Sequence, residues 1–106
     1  MKTRRSKSTD IPQRVKQIVW ERDEHRCIFC GSSYAMPSCH YIPRSHGGLG
    51  IEQNIVTACI ECHHMMDNST ARRGYLERAK WYLEELYPGF TDKERIFNKW
   101  DGLPEM

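Results

Sequence analysis

Apolar positions change their spacing several times along the chain, and each change marks an expected element. Residues 1–9 show no apolar period and are expected to lack regular structure. Asp10 is placed to N-cap a helix, with Pro12 in its first turn, where a missing N–H costs nothing. Val15, Ile18, Val19 and Arg22 then fall at helical spacing, which predicts a helix over 12–23. Its stripe is narrow and suits docking onto another element. A tight turn is expected from Cys27 to Gly31. The texture shifts from Met36 to Thr57, where Tyr41-Ile42 and Ile55-Val56-Thr57 are short strand candidates. Gly47, Gly48 and Gly50 between them suit a loop with positive φ. A short helix is expected over Cys62–Asn68. A long one follows from Thr70 to Tyr87, with Leu76, Ala79, Leu83 and Leu86 on one face and Pro88-Gly89 as its stop. Thr91-Asp92-Lys93-Glu94 is a capping box that should open a last helix through Trp100. Ile96, Phe97 and Trp100 are expected to pack on the core.

At 106 residues and 39% apolar there is room for one domain with a modest core. Such a core needs a staple, either a metal or disulfides. Residues 1–10 contain no apolar run of the kind that opens an exported chain. A reducing, cytoplasmic location is therefore expected, in which the five cysteines favour metal over disulfides. No membrane association is expected, since no stretch approaches a spanning length. The Asn68-Ser69-Thr70 sequon then has no expected role. Charge is uneven: residues 1–22 hold seven cations, Arg4 and Arg5 among them, against Asp10 and Glu21. A basic arm over 1–10 would attract a phosphate backbone; a solvated tail is the plainer alternative.

Cys27-Ile28-Phe29-Cys30 and Cys59-Ile60-Glu61-Cys62 are two C-x-x-C knuckles separated by 28 residues (31–58). Two residues between cysteines let both thiolates face one ion, and two such turns complete a tetrahedral S₄ site for structural zinc. Redox disulfides or four buried thiols are the alternatives. A closed site of this kind does no chemistry and serves stability.

Between and after the knuckles run Cys39-His40-Tyr41-Ile42-Pro43-Arg44-Ser45-His46-Gly47-Gly48, then Asn54-Ile55-Val56-Thr57, then Cys62-His63-His64. Over about residues 11–69 this resembles the HNH endonuclease family. Its pattern is a histidine ending one strand, an asparagine opening the next, and a histidine on the helix after the second knuckle. The His-x-x-Pro-Arg-Ser-x-Gly-Gly wording is specific to it, and Arg22-Asp23 ahead of the first knuckle stands in the family's order. The C-terminal helices look, more loosely, like those of small phage-borne members. The resemblance implies an α+β fold: a ββα-metal hairpin-plus-helix core over 27–69, stapled by the four-cysteine zinc site. Flanking helices stand at the N-terminal side and over 70–100, in a single nuclease domain spanning 11–106. It further implies His40 as general base, Asn54 as the hydrogen-bonded cross-link of the hairpin, and His63 as ligand of a catalytic ion. DNA is the implied substrate, with 5′-phosphate and 3′-hydroxyl products, and a phage or mobile-element protein is an implied partner.

The chemistry accounts for these residue types. Phosphodiester hydrolysis needs a base for water and a cation to neutralise the transition state, and histidine titrates in the right range. Asp67 stands four residues after His63 and shares its helical face, so the pair can hold Mg²⁺, Mn²⁺, Ni²⁺ or Zn²⁺ with positions left open. One departure from the family pattern is Cys39, where Asp or Glu usually precedes the first histidine. Either Cys39 ligates a softer ion, or Asp67 supplies the carboxylate and Cys39 packs. Arg44 and His46 are candidates for phosphate contact, against a salt bridge and a solvated loop histidine. His64 points about 100° away from His63 and is expected at the surface or in contact with DNA, against a role as ligand. Met65 and Met66 are expected to pack. The expected activity is a metal-dependent DNA endonuclease or nickase. The alternative is a catalytically weakened zinc-binding nucleic-acid module of the same fold.

Overall fold

The computed structural model describes residues 4–97, with side chains from residue 7 onward. In chain order the elements are α1 (Arg4–Thr9), α2 (Gln13–Arg22), β1 (Ala35–His40), β2 (Ile55–Cys59), α3 (Ile60–Asn68) and α4 (Arg72–Leu86), with 3-10 turns at Arg44–His46 and Asp92–Arg95. The fold is α+β. Its two strands pair antiparallel, with Ala35 opposite Cys59 and His40 opposite Ile55. The register shifts between Met36 and Cys39. Pro37 lies in that interval and has no N–H to give to the ladder.

All five residues of β2 are buried, and its pleat explains how. Ile55 packs on Val15 and Val19 of α2. Val56 and Ala58 enter a second cluster with Cys39, Tyr41, Met66, Ala79 and Leu83. The central hairpin is therefore covered by α2 on one side and by α3 and α4 on the other. Among the described residues, no helix is long and apolar enough to cross a membrane.

A buried ion pair ties these layers together. The Asp23 carboxylate accepts from Arg22 Nε at 2.8 Å and Nη2 at 3.0 Å, from the Thr57 N–H at 2.8 Å and from the Tyr82 hydroxyl at 2.6 Å. Arg22 also donates to the carbonyls of Glu52 and Ile55, both at 2.7 Å. One pair thus joins the end of α2 to β2, to α4 and to the loop before β2. Because every partner is in place, the two buried charges are compensated.

Several expectations need correction. Residues 4–9 form α1, where no regular structure was expected. Asp10 does not cap α2; the cap position is Pro12, with no side-chain hydrogen bond, and Asp10 instead pairs with Arg44. The first strand ends at His40, before Tyr41-Ile42. The Ile42 N–H is taken by the Asn54 side chain at 2.9 Å, so a side-chain amide replaces the ladder there. Only Gly47 of the three loop glycines has positive φ, at 82°. Helix α3 begins at Ile60, two residues early, because Cys59 caps it: its sulfur accepts from the Cys62 N–H at 3.4 Å. The capping box at Thr91 and Glu94 is present, but the helix it opens is a single 3-10 turn. Ile96 turns extended and pairs with Gly48 instead. Trp100 lies outside the described residues. Met65, expected to pack, is 37% exposed, whereas Met66 is buried; Leu86, placed on the apolar face of its helix, is 40% exposed.

Candidate functional site

The sulfurs of Cys27, Cys30, Cys59 and Cys62 all lie within 4.8 Å of one another. Cys30 and Cys59 are separated by 3.6 Å, too far for a disulfide. Tetrahedral zinc–sulfur bonds of ~2.3 Å imply sulfur–sulfur edges of ~3.8 Å, so the cluster has the dimensions to hold an ion such as zinc. Local backbone builds each half. Gly31, at φ 80°, turns the first knuckle back so that its N–H reaches the Cys27 carbonyl at 2.9 Å. The second knuckle is the first turn of α3 itself. Burial pushes the Cys27 thiol up, but the backbone amides of Cys59, Cys30 and Phe29 outweigh it and bring it down to about 7. Against the Ser32 amide the neighbouring thiols push the Cys30 group up, and burial with those thiols pushes Cys62 up, so in the cluster without an ion the charge is held chiefly by Cys27.

A polar cleft of about 840 Å³ is lined by residues of the α2 side, β1, the 3-10 turn after it, α3 and the start of α4. His40 enters it from the last position of β1, and Arg44 and His46 from the 3-10 turn that follows. His63 and Asp67 enter from α3, with His63 Nε2 3.5 Å from Asp67 Oδ2. That separation is close to the ~3.0–3.4 Å at which two ligands ~2.1 Å from one ion would stand. Among the described residues the four cysteines are the one convergent group of three or more ligands; His63 and Asp67 converge as a pair.

His40 is half-buried, and its Nε2 lies 2.8 Å from the Thr9 carbonyl oxygen. A carbonyl can only accept, so Nε2 carries the hydrogen and Nδ1 of the neutral ring keeps its lone pair. Burial is the main force lowering its pKa. The Thr9 carbonyl opposes this, and the nearby Arg44 and His63 charges add to it. Asn54 is completely buried. Its Nδ2 donates to the carbonyls of Leu49 at 2.9 Å and Ile42 at 3.2 Å, while Oδ1 accepts from Ile42 N–H. The side chain thus clips the two ends of the 42–54 loop together below the cleft.

Cys39 is absent from the cleft lining. It is 1% exposed and its sulfur sits 3.5 Å from that of Met66. His64 is also outside the cleft, exposed, within 3.4 Å of Asn68 Nδ2. The side chains of Arg4 and Arg5 lie outside the described part.

Several residues of the cleft were not read as site residues in the sequence, Ile11 and Ser38 among them. Asp10 and Lys16 reach it from the α2 side, Arg72 from the start of α4, and Thr9 through its carbonyl. Lys16 and Arg72 had a weak signal as cations on predicted helices. A backbone carbonyl leaves no compositional trace. No family model, curated protein or solved structure matches the chain.

Proposed function

We propose that the chain is a metal-dependent DNA endonuclease of the HNH type, hydrolysing phosphodiester bonds. The observation that carries this reading is the convergence in one cleft of a tautomer-fixed His40, the His63–Asp67 pair and Arg44. Nδ1 of His40 takes a proton from water, and the resulting hydroxide attacks phosphorus as the P–O3′ bond breaks. The departing 3′-oxygen takes a proton from solvent water and His40 returns its own to solvent, leaving 5′-phosphate and 3′-hydroxyl ends. A divalent ion bound by His63 and Asp67 would supply the positive charge that the pentavalent transition state requires. Arg44, held by Asp10, would turn its guanidinium charge toward the non-bridging oxygens. Asn54 touches no substrate in this scheme and keeps the loop that carries Arg44 in register with β1. The four-cysteine cluster stays structural, fixing where α3 starts and so where His63 and Asp67 point.

The test is supercoiled plasmid incubated with Mg²⁺, Mn²⁺, Ni²⁺ or Zn²⁺, comparing the wild type with His40→Ala. Wild-type cleavage with one of these ions is expected, and the variant should lose ~10²–10⁴-fold in rate while keeping its fold. Equal rates in both proteins would remove His40 from the reaction.

A further inference from the structure

The segment Ser8–Asp10 lies outside the strand–strand–helix unit, yet two successive groups of it hold residues that line the cleft. The Thr9 carbonyl accepts from His40 Nε2, and the Asp10 carboxylate pairs with Arg44. Thr9 itself is buried, at 3% exposure.

What brings the segment so close is Gly50. Its N–H donates to the Ser8 carbonyl at 3.0 Å. A Cβ at Gly50 would stand 1.9 Å from the Asp10 carbonyl oxygen and 2.5 Å from its carbonyl carbon. These are backbone atoms, which cannot swing aside as a long side chain can. Gly50 is not among the glycines with positive φ, so the close approach, and no backbone strain, is what calls for glycine here.

We infer that Ser8–Asp10 is a positioning strap for the reaction centre, docked on Gly50, which fixes the His40 ring through the Thr9 carbonyl and the Arg44 guanidinium through Asp10. The roles of those two side chains rest on the nuclease reading, but the hold on the ring can be measured without turnover. An imidazole has two nitrogens, and a base needs its lone pair on the correct one. A fixed acceptor at Nε2 selects one tautomer and one ring orientation. Without it the ring samples both, and the lone pair leaves the line to water.

The test is a side-chain ¹⁵N spectrum of His40 above neutral pH, in the full-length wild type and in Gly50→Ala. The wild-type ring should be the Nε2–H tautomer. The alanine methyl should lift the strap and give an averaged ring, with cleavage slowed on the order of 10–100-fold and the zinc content unchanged. An alanine variant that keeps both the Nε2–H tautomer and wild-type turnover overturns the strap. Should that variant fail to fold, the wild-type spectrum decides: a ring wholly Nε2–H, without the mixture a free imidazole shows, supports the strap, and a mixed or Nδ1–H ring overturns it. The expected change of tautomer in a protein that cleaves nothing with any ion would support the strap and count against the nuclease reading.

Discussion

Cys39 and His40 are neighbours at the end of β1, where successive side chains leave opposite faces of the sheet. Cys39 goes to the core, and burial, with the nearby Asp67 charge, pushes its thiol up to about 12. His40 goes to the cleft. Adjacency in sequence therefore separates the two in space, and Asp67 on α3 is left as the carboxylate beside His63. Asp67→Ala should weaken divalent-ion affinity and cleavage together. Cys39→Ala should leave the ion response unchanged and cost about 1–2 kcal/mol in packing. A metal titration of cleavage on both variants, with denaturant curves, checks this; the reverse order would make Cys39 the ligand. The environment of His40 also sets a pH dependence. Its folded pKa is lowered, chiefly by burial, so the base stays neutral and active below the ordinary histidine value of ~6.5. The acid limb of cleavage should lie below that value. The same shift contributes stability that is present above ~6.5 and lost as pH falls through the folded value, because the unfolded chain takes up the proton more readily. Denaturant midpoints against pH should show that share in the wild type and its absence in His40→Ala.

Helix α3 begins within the second knuckle, so the element that carries His63 and Asp67 starts at the four-cysteine cluster. Removing one thiolate should unseat the helix as well as the ion. Cys30→Ser is expected to give less than one bound zinc per chain and a largely unfolded circular dichroism spectrum, since structural zinc contributes on the order of 10 kcal/mol in small peptides. Native dichroism and an unchanged Tm in that variant would remove the cluster from the folding argument. The knuckles were legible because the chemistry of a tetrahedral ion imposes a spacing. Helices α2 and α4 were legible because their period shows in Val15 and Val19, and in Ala79 and Leu83, all buried. Strand β1 was not. Its Ala-Met-Pro-Ser-Cys-His sequence has little strand propensity, and it is held in place by β2 and the clusters around it. Where residues 96 and 97 go was equally hidden, because the Gly48–Ile96 bridge is a long-range contact that overrides a good capping box.

At the scale of the molecule, the loop between β1 and β2 is clasped from both sides. Ser8 accepts from Gly50 on one side. On the other, the Arg95 carbonyl accepts from Leu49 N–H at 2.8 Å, and Phe97 N–H donates to the Gly47 carbonyl at 2.6 Å. Arg95 is 1% exposed and drives its guanidinium under the loop, with Nε 2.6 Å from the Gln53 carbonyl and Nη1 3.0 Å from both the Phe90 carbonyl and Asp92 Oδ1. Arg95→Met should cost on the order of 2–4 kcal/mol by leaving these acceptors unmet. It should also speed amide exchange at residues 47–54 while the zinc stays bound. Exchange rates equal to the wild type in that segment would show that the clasp is not held by Arg95. The two-sided clasp has a consequence in time. Ser8 is made before the loop, whereas Arg95 and Phe97 follow the four cysteines, β1, β2, α3 and α4 in the chain, so the second clasp can form only once those segments exist. The loop beside the cleft is thus tied both to a segment made before it, at Ser8, and to one made after α4, at Arg95 and Phe97.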